Sequence, residues 1–245
     1  MHSIFIRVHF SCFIFKFIVL YYGKGKIMID SVLIYKESPI LMLLAGIAMV
    51  IALVVSLSMH EFAHGYVAYK NGDDTAKMAG RLSLNPMRHM DWIGILSCVL
   101  FGFGWAKPVP VNPMKFRNYK KGTILVSIAG VLVNLIFAII FGGLYVLFAK
   151  HIEISNNFLF FIMELSGAMF SLNACLFVFN LLPIYPLDGF NLISAFTSYE
   201  NKYIQFMRKY GSIVLIVILV AFRWVIADLI SLIMYPILRL WFLIL

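Results

Sequence analysis

The chain has 245 residues, of which 62% are hydrophobic and 13% charged, with a formal net charge of +9 and a mean hydropathy of +0.94. Soluble domains run nearer about 45–50% apolar and about 25% charged, so the composition excludes an ordinary soluble globular protein, a disordered chain and a nucleic-acid module. It fits an all-α polytopic membrane protein of about four to six transmembrane helices at about 20 residues each.

In chain order, Ile4 to Tyr22 is apolar but interrupted by Arg7, His9 and Lys16, and it lacks the small-residue cleavage site of a signal peptide. Residues 1–27 therefore read either as a poor extra span or as sequence upstream of a start at Met28, with the second reading favoured. One membrane domain is expected over 28–245. Ile40 to Met59 is a clean 20-residue apolar run that continues without a breaker into HEFAHGYVAYKNGD. The spacing predicts a helix from about Ser38 to Lys70, stopped at Asn71-Gly72. The polar stretch Gly80 to Asp91 alternates like a short strand before Asn85-Pro86. Trp92 to Trp105 is apolar but short for a span and suits a re-entrant segment. Pro108, Pro110 and Pro113 exclude helix and predict an extended strip. Gly122 to Ala149 and Phe158 to Leu182, the latter interrupted only by Glu164, read as further spans. Ile213 to Phe222 and Trp224 to Leu245 make either one kinked span or a span plus an interfacial helix. Cys12, Cys98 and Cys175 form no CxxC, so neither a disulfide framework nor a cysteine zinc site is implied.

The loop charges set the orientation. Nine Lys and Arg lie between Lys70 and Lys121, one between Lys150 and Asn157, and three between Ile184 and Ser212. If Trp92 to Trp105 does not cross, the first and third segments share a side. The excess of positive charge puts that side in the cytoplasm.

His60-Glu61-Phe62-Ala63-His64 is an HExxH motif. Residues four apart share a helix face, so two imidazoles at that spacing can grip one Zn²⁺ at about 2.0–2.1 Å. Glu61, one position off, is placed to hold a zinc-activated water and take its proton. Chance explains many such patterns in soluble chains. At membrane depth, two histidines and a glutamate are costly unless they bind something or line a cavity. Catalytic zinc usually takes a third protein ligand, and Asp188 is the candidate. It follows an apolar helix broken by Pro183 and Pro186, in NLLPIYPLDG. A turn aspartate before glycine is the plainer alternative, and the HExxH on the same side outweighs it.

From Ile40 to Ser194 the chain resembles the site-2 protease family of intramembrane zinc metalloproteases, in particular its small members without a PDZ insertion. The residues that carry the likeness are HEFAHGYVAYKNGD, GRLSLNPMRHMDWIG, GWAKPVPVNP, AGVLVN and FNLLPIYPLDG, in that order. The resemblance implies a catalytic core over about 40–194, zinc held by His60, His64 and Asp188, and Glu61 as general base. It also implies that Asn134 and Asn180 help to hold substrate or the developing oxyanion. Where the family often has AGP, this chain has Ala129-Gly130-Val131, a change in helix shape more than in chemistry. An interhelical hydrogen bond is the alternative for Asn134, and capping or turn formation for Asn180. The expected activity is an endopeptidase acting on transmembrane protein substrates in the lipid bilayer, in a bacterial inner membrane, with the active site toward the cytoplasm.

His89 and Asp91 read as a loop hydrogen-bond pair or a structural element near the active-site mouth rather than as a second metal site. The strip around Val109 and Val111 offers an edge for strand addition by an extended peptide, against a plain connector. A metal transporter would need acidic and histidine residues on several spans, and apart from HExxH the spans carry only Glu164. An inactive adaptor would be expected to lose the motif residues, all of which are present.

Overall fold

Ser38 and Pro39 open the first helix. The computed structural model describes residues 38–91, 93, 107–153 and 155–245. The expectations for residues 1–27 and for the re-entrant segment Trp92 to Trp105 lie outside the described residues. Helix α1 runs Pro39–Lys70 with proline at its first position, where a missing N–H does no harm. It ends at Asn71, whose amide nitrogens donate back to Val67 and Ala68 carbonyls. A four-residue helix α2, Thr75–Met78, follows. Then come α3, Tyr119–His151, α4, Asn157–Asn180, α5, Asp188–Ser194, α6, Lys202–Ala221, and α7, Arg223–Ile244. Asn118, Asn156 and Asn201 cap α3, α4 and α6, each side chain accepting a backbone N–H of the first turn, which satisfies donors no helical carbonyl can reach.

Among the described residues, four helices are long and apolar enough to cross a membrane: α1, α3, α4 and the Trp224–Ile244 portion of α7. The break at Phe222 separates α6 from α7, so the C-terminal apolar stretch is two helices, of which α7 has the character of a span. Helices α1, α3 and α4 pack on one another, and α7 packs on α3 and α4. Ala52, Leu53, Met169, Leu172 and Leu176 fill the seam between α1 and α4. Phe179, Leu187, Leu215 and Ile230 join α4 to the C-terminal helices. Ile40, Leu43, Ile136, Ile140 and Leu232 stay exposed, as surface in contact with lipid chains would be.

Helix α1 has 32 residues, roughly 48 Å at about 1.5 Å per residue. A hydrocarbon core of about 30 Å uses only the first 20 or so. The HExxH turns therefore fall at one end of the span.

The strand expected over Gly80 to Leu84 does not form. Asn85 instead caps a 3₁₀ turn over Pro86–Arg88 by accepting from Met87 N. The buried His89 ring lies 2.8 Å from the Ser83 carbonyl and folds the stretch on itself. Alternation of two leucines was a weak signal beside that local capping. The proline strip is extended as expected, with a 3₁₀ turn at Pro113–Lys115.

Candidate metal centre

His60 and His64 stand one turn apart on α1, and Asp188 opens α5 after the proline-broken end of α4. A Cβ at Gly189 would stand 2.3 Å from the Leu181 carbonyl oxygen, so only glycine after Asp188 lets the chain turn tightly enough to present that carboxylate. His60 Nε2 and His64 Nε2 are 2.9 Å apart. Asp188 Oδ2 lies 3.2 Å from the first and 3.1 Å from the second. All three side chains, and Glu61 beside them, are buried. Among the described residues this is the one group of three metal-capable side chains, and neither His89 nor Asp91 belongs to it.

The outer nitrogens of the two rings settle which atoms face inward. His64 Nδ1 lies 2.7 Å from the Val126 carbonyl of α3, an atom that only accepts, so Nδ1 carries the hydrogen. His60 Nδ1 lies 2.5 Å from Asn134 Oδ1 and carries one likewise. Both Nε2 atoms of the neutral rings are then lone pairs. Asp188 Oδ2 is buried and accepts no hydrogen bond among the described residues. With both rings neutral, three electron-rich atoms converge with no proton between them. A cation among them removes that conflict, and zinc, with ligands at about 2.0–2.2 Å, sets neighbouring donors roughly 3.3 Å apart. The residues present fit zinc.

Helix α3 supplies the rear wall. Val126, Gly130 and Asn134 recur every fourth residue and so share one face. A Cβ at Gly130 would fall 2.5 Å from His64 Nε2 and 2.6 Å from His60 Cε1. Glycine is what lets the helix backbone lie flat against both imidazoles.

The strip supplies the front wall. Val109 N–H donates to Glu61 Oε2 at 2.7 Å. On one side of that contact Arg81 Nη2 donates to the Lys107 carbonyl at 2.6 Å, and Lys107 N–H donates to the His89 carbonyl. On the other, Asn112 N–H donates to Asp73 Oδ2 at 2.6 Å. Asp73 is fully buried and also accepts from Thr75 N and Thr75 Oγ1. Burial pulls the Arg81 guanidinium below its usual value, and the Glu61 carboxylate opposes the shift. Between strip and metal centre lies a cavity of about 360 Å³ bordered by Glu61, His64, Val109, Val111, Asp188 and Arg208.

The six residues singled out in the sequence thus fall into three places. His60, Glu61, His64 and Asp188 are together. Asn134 stands behind His60 and does not border the cavity. Asn180 does not border it either, and its Nδ2 donates to Leu176 O within α4. Sequence reasoning missed Asn173, Ser56 and Gly130 behind the histidines and Asp73 beneath the strip. The available signal was Asn173, a polar residue inside an apolar run, which is as costly in a span as Asn134.

Fold and site define an α-helical membrane protein with a buried centre able to hold one metal ion. The chain is 44% identical over 177 residues to the Bacillus subtilis protein named "Putative zinc metalloprotease YwhC", an alignment covering 70% of this chain and 80% of that protein. It is 32% identical over 173 residues to "Putative zinc metalloprotease Rip2" of Mycobacterium tuberculosis, covering 68% of this chain and 63% of the relative. It is 26% identical over 175 residues to the protein of the same name in Mycolicibacterium smegmatis, covering 68% and 64%. No protein-family model matches, and no solved structure matches. The chain belongs to the site-2 protease family of zinc metalloproteases.

Proposed function

We propose that the protein cuts peptide bonds in or near membrane-spanning segments of other proteins, at the cytoplasmic end of its own first span, in a bacterial inner membrane. Family membership makes it a zinc-dependent metalloendopeptidase. The finer reading rests on one observation: the His60, His64 and Asp188 donors converge beside Glu61 at the end of an apolar 20-residue run, next to a cavity. Peptide hydrolysis needs water, and a helix in lipid hides its carbonyls. A centre at one end of a span meets both conditions, since water can reach it and a substrate helix can unwind there. The excess of Lys and Arg between Lys70 and Lys121 supports the cytoplasmic placement.

In this reading His60, His64 and Asp188 hold the metal. Zinc, when bound, supplies the Lewis acidity that makes water a nucleophile near neutral pH. Glu61 takes the proton from that water and delivers it to the leaving amine. Its Oε2 is already oriented by Val109 N–H, which leaves the other carboxylate oxygen for the proton. Asn134 is engaged by His60, so an oxyanion role would require that bond to break. Asn180 keeps its substrate or oxyanion role as part of the proposal, with its Leu176 bond released when substrate enters. A peptide adding to the strip must work around the amides of Val109 and Asn112, which are taken by Glu61 and Asp73.

The test is cleavage of a panel of single-span substrates in detergent, with zinc analysis, comparing wild type with Glu61→Gln. Glutamine is not asked to ligate, so about one zinc per chain should remain in both proteins. Cleavage should fall by about 10²–10⁴-fold, the usual worth of a general base. Loss of zinc from Glu61→Gln, or unchanged cutting by it, would overturn these roles.

A further inference from the structure

Each histidine of the centre needs its Nδ1 protonated if its Nε2 is to face a metal. For His64 the requirement is met in one step, because Val126 O is a backbone carbonyl and can only accept. For His60 the neighbour is an asparagine amide, which can present either oxygen or nitrogen. Presented the wrong way round, the same amide would donate to His60 Nδ1 and turn the ring's hydrogen onto Nε2, where the metal belongs. Something must fix the amide.

The bonds behind Asn134 do so. Asn134 Nδ2 donates to Asn173 Oδ1 at 3.0 Å. Asn173 Nδ2 donates to Met169 O at 2.7 Å and to Ser56 Oγ at 2.7 Å. Ser56 Oγ points in turn at Met169 Sδ, 3.7 Å away. Ser56, Asn134 and Asn173 are each fully buried. Met169 O cannot donate, so the end of Asn173 beside it must be Nδ2. Asn173 Oδ1 then faces Asn134, the end of Asn134 it meets must be Nδ2, and Asn134 Oδ1 is left facing His60. One backbone carbonyl dictates every orientation in the chain.

We propose that Asn173 is a positioning residue for the metal centre: a buried relay from Met169 O through Asn173 and Asn134 locks His60 in the tautomer that offers Nε2 to zinc. The proposal rests on the zinc reading above and adds a residue on a third helix to it. Asn173 touches neither metal nor substrate. It ties α4 to α3, and Ser56 ties the same amide to α1, so the ring is fixed to all three central helices. Groups that hydrogen-bond the outer ring nitrogen of metal-bound histidines are worth about 10–100-fold in metal affinity.

The experiment is a zinc-affinity measurement on purified full-length protein in detergent, by competition with a chromophoric chelator. Wild type is compared with Asn134→Leu, Asn173→Leu and the double variant, in which leucine keeps the branched side-chain shape and removes the hydrogen-bonding groups. Asn134→Leu should weaken binding by about 10–100-fold. Asn173→Leu should weaken it by a smaller factor, and the double variant should match Asn134→Leu, because both substitutions break one chain. Ser56→Ala leaves Met169 O holding the amide and should lose less than Asn173→Leu. Asn173→Ala serves in its place if the leucine variant does not fold. A loosened helix bundle would instead give losses that multiply, and that result overturns the relay, as does wild-type affinity in Asn173→Leu. The second readout is the ¹⁵N spectrum of His60 in zinc-free protein, which reports the tautomer directly. It should be Nδ1-protonated in wild type and mixed in Asn173→Leu. The same tautomer in both refutes the relay. If wild type binds no zinc, the proposed function fails, and the tautomer comparison alone then decides the relay.

Discussion

The rear and the front of the metal centre are held by different kinds of bond. At the rear, α3 meets His60 with the Asn134 amide and His64 with the Val126 carbonyl, and Asn173 of α4 holds Asn134 in turn. Asn134, Asn173 and Ser56 there are fully buried and lie between helices long and apolar enough to span. At the front, loop backbone is pinned by charged side chains: Val109 N–H on Glu61, Asn112 N–H on Asp73, and the Lys107 carbonyl under Arg81. In lipid an unpaired polar group has no water to fall back on, so the rear must be complete within itself. The front borders a cavity and can use ions and backbone. In the proposed function the rear governs whether metal is held, and the front governs whether held metal cuts.

Gly130→Ala tests the rear hardest. The added methyl would arrive 2.5 Å from His64 Nε2 and 2.6 Å from His60 Cε1, with helix backbone behind it and no space to yield. The rings must move off their shared point. A displacement of about 1 Å at a reacting centre costs on the order of 10²-fold. Zinc content should fall, and cleavage should fall with it by at least that factor. A Gly130→Ala protein with full zinc would show that the rear is softer than its contacts imply.

How much of this was legible in the sequence follows the same division. HExxH carries its own geometry, because residues four apart share a helix face, so His60, Glu61 and His64 could be read from spacing alone. Asp188 was readable because prolines broke an apolar run beside a lone carboxylate. The helix stop at Asn71 and the non-helical strip were fixed by Asn-Gly and by Pro108, Pro110 and Pro113, residues whose backbone limits are local. The Asn173 relay was not readable. Its links join residues 74, 39 and 117 positions apart, and no local pattern encodes such a distance. The strand expected near Leu82 failed for the opposite reason: alternation was read where Asn85 capping and the His89–Ser83 contact decide the path.

Asp73→Asn tests the front. Asparagine keeps the volume but puts an NH₂ where one carboxylate oxygen now accepts from Asn112 N–H or from Thr75. One buried donor loses its acceptor, at a cost of about 1–3 kcal/mol. The strip loosens at one end, and with it the Val109 contact on Glu61. Cleavage should fall by roughly tenfold while zinc content stays at the wild-type level. A parallel loss of zinc would erase the distinction between front and rear.

The smallest effect belongs to the next residue along. Asp74 carries the same charge as Asp73 and pairs with Lys115 Nζ at 2.5 Å, but the two side chains are 52% and 45% exposed. Lys115 holds the Asp74 carboxyl below the usual carboxylate range, and Asp74 raises the Lys115 ammonium above its own. A depressed carboxyl stabilises the fold above its unfolded pKa and loses that contribution as pH falls through its folded pKa. A raised ammonium stabilises below its unfolded pKa and loses the contribution as pH rises through its folded pKa. Both contributions are therefore intact at neutral pH, and both are screened by solvent and salt. Asp74→Asn should leave zinc content and cleavage unchanged and lower Tm only slightly at pH 7. That difference should close below about pH 4 and in high salt. The two aspartates differ in burial and in what they bond, not in charge. Asp73 holds backbone that nothing else can hold, whereas Asp74 meets a lysine that water would serve as well. If Asp74→Asn cut cleavage as deeply as Asp73→Asn, the front would depend on its net charge instead of its buried amide contacts.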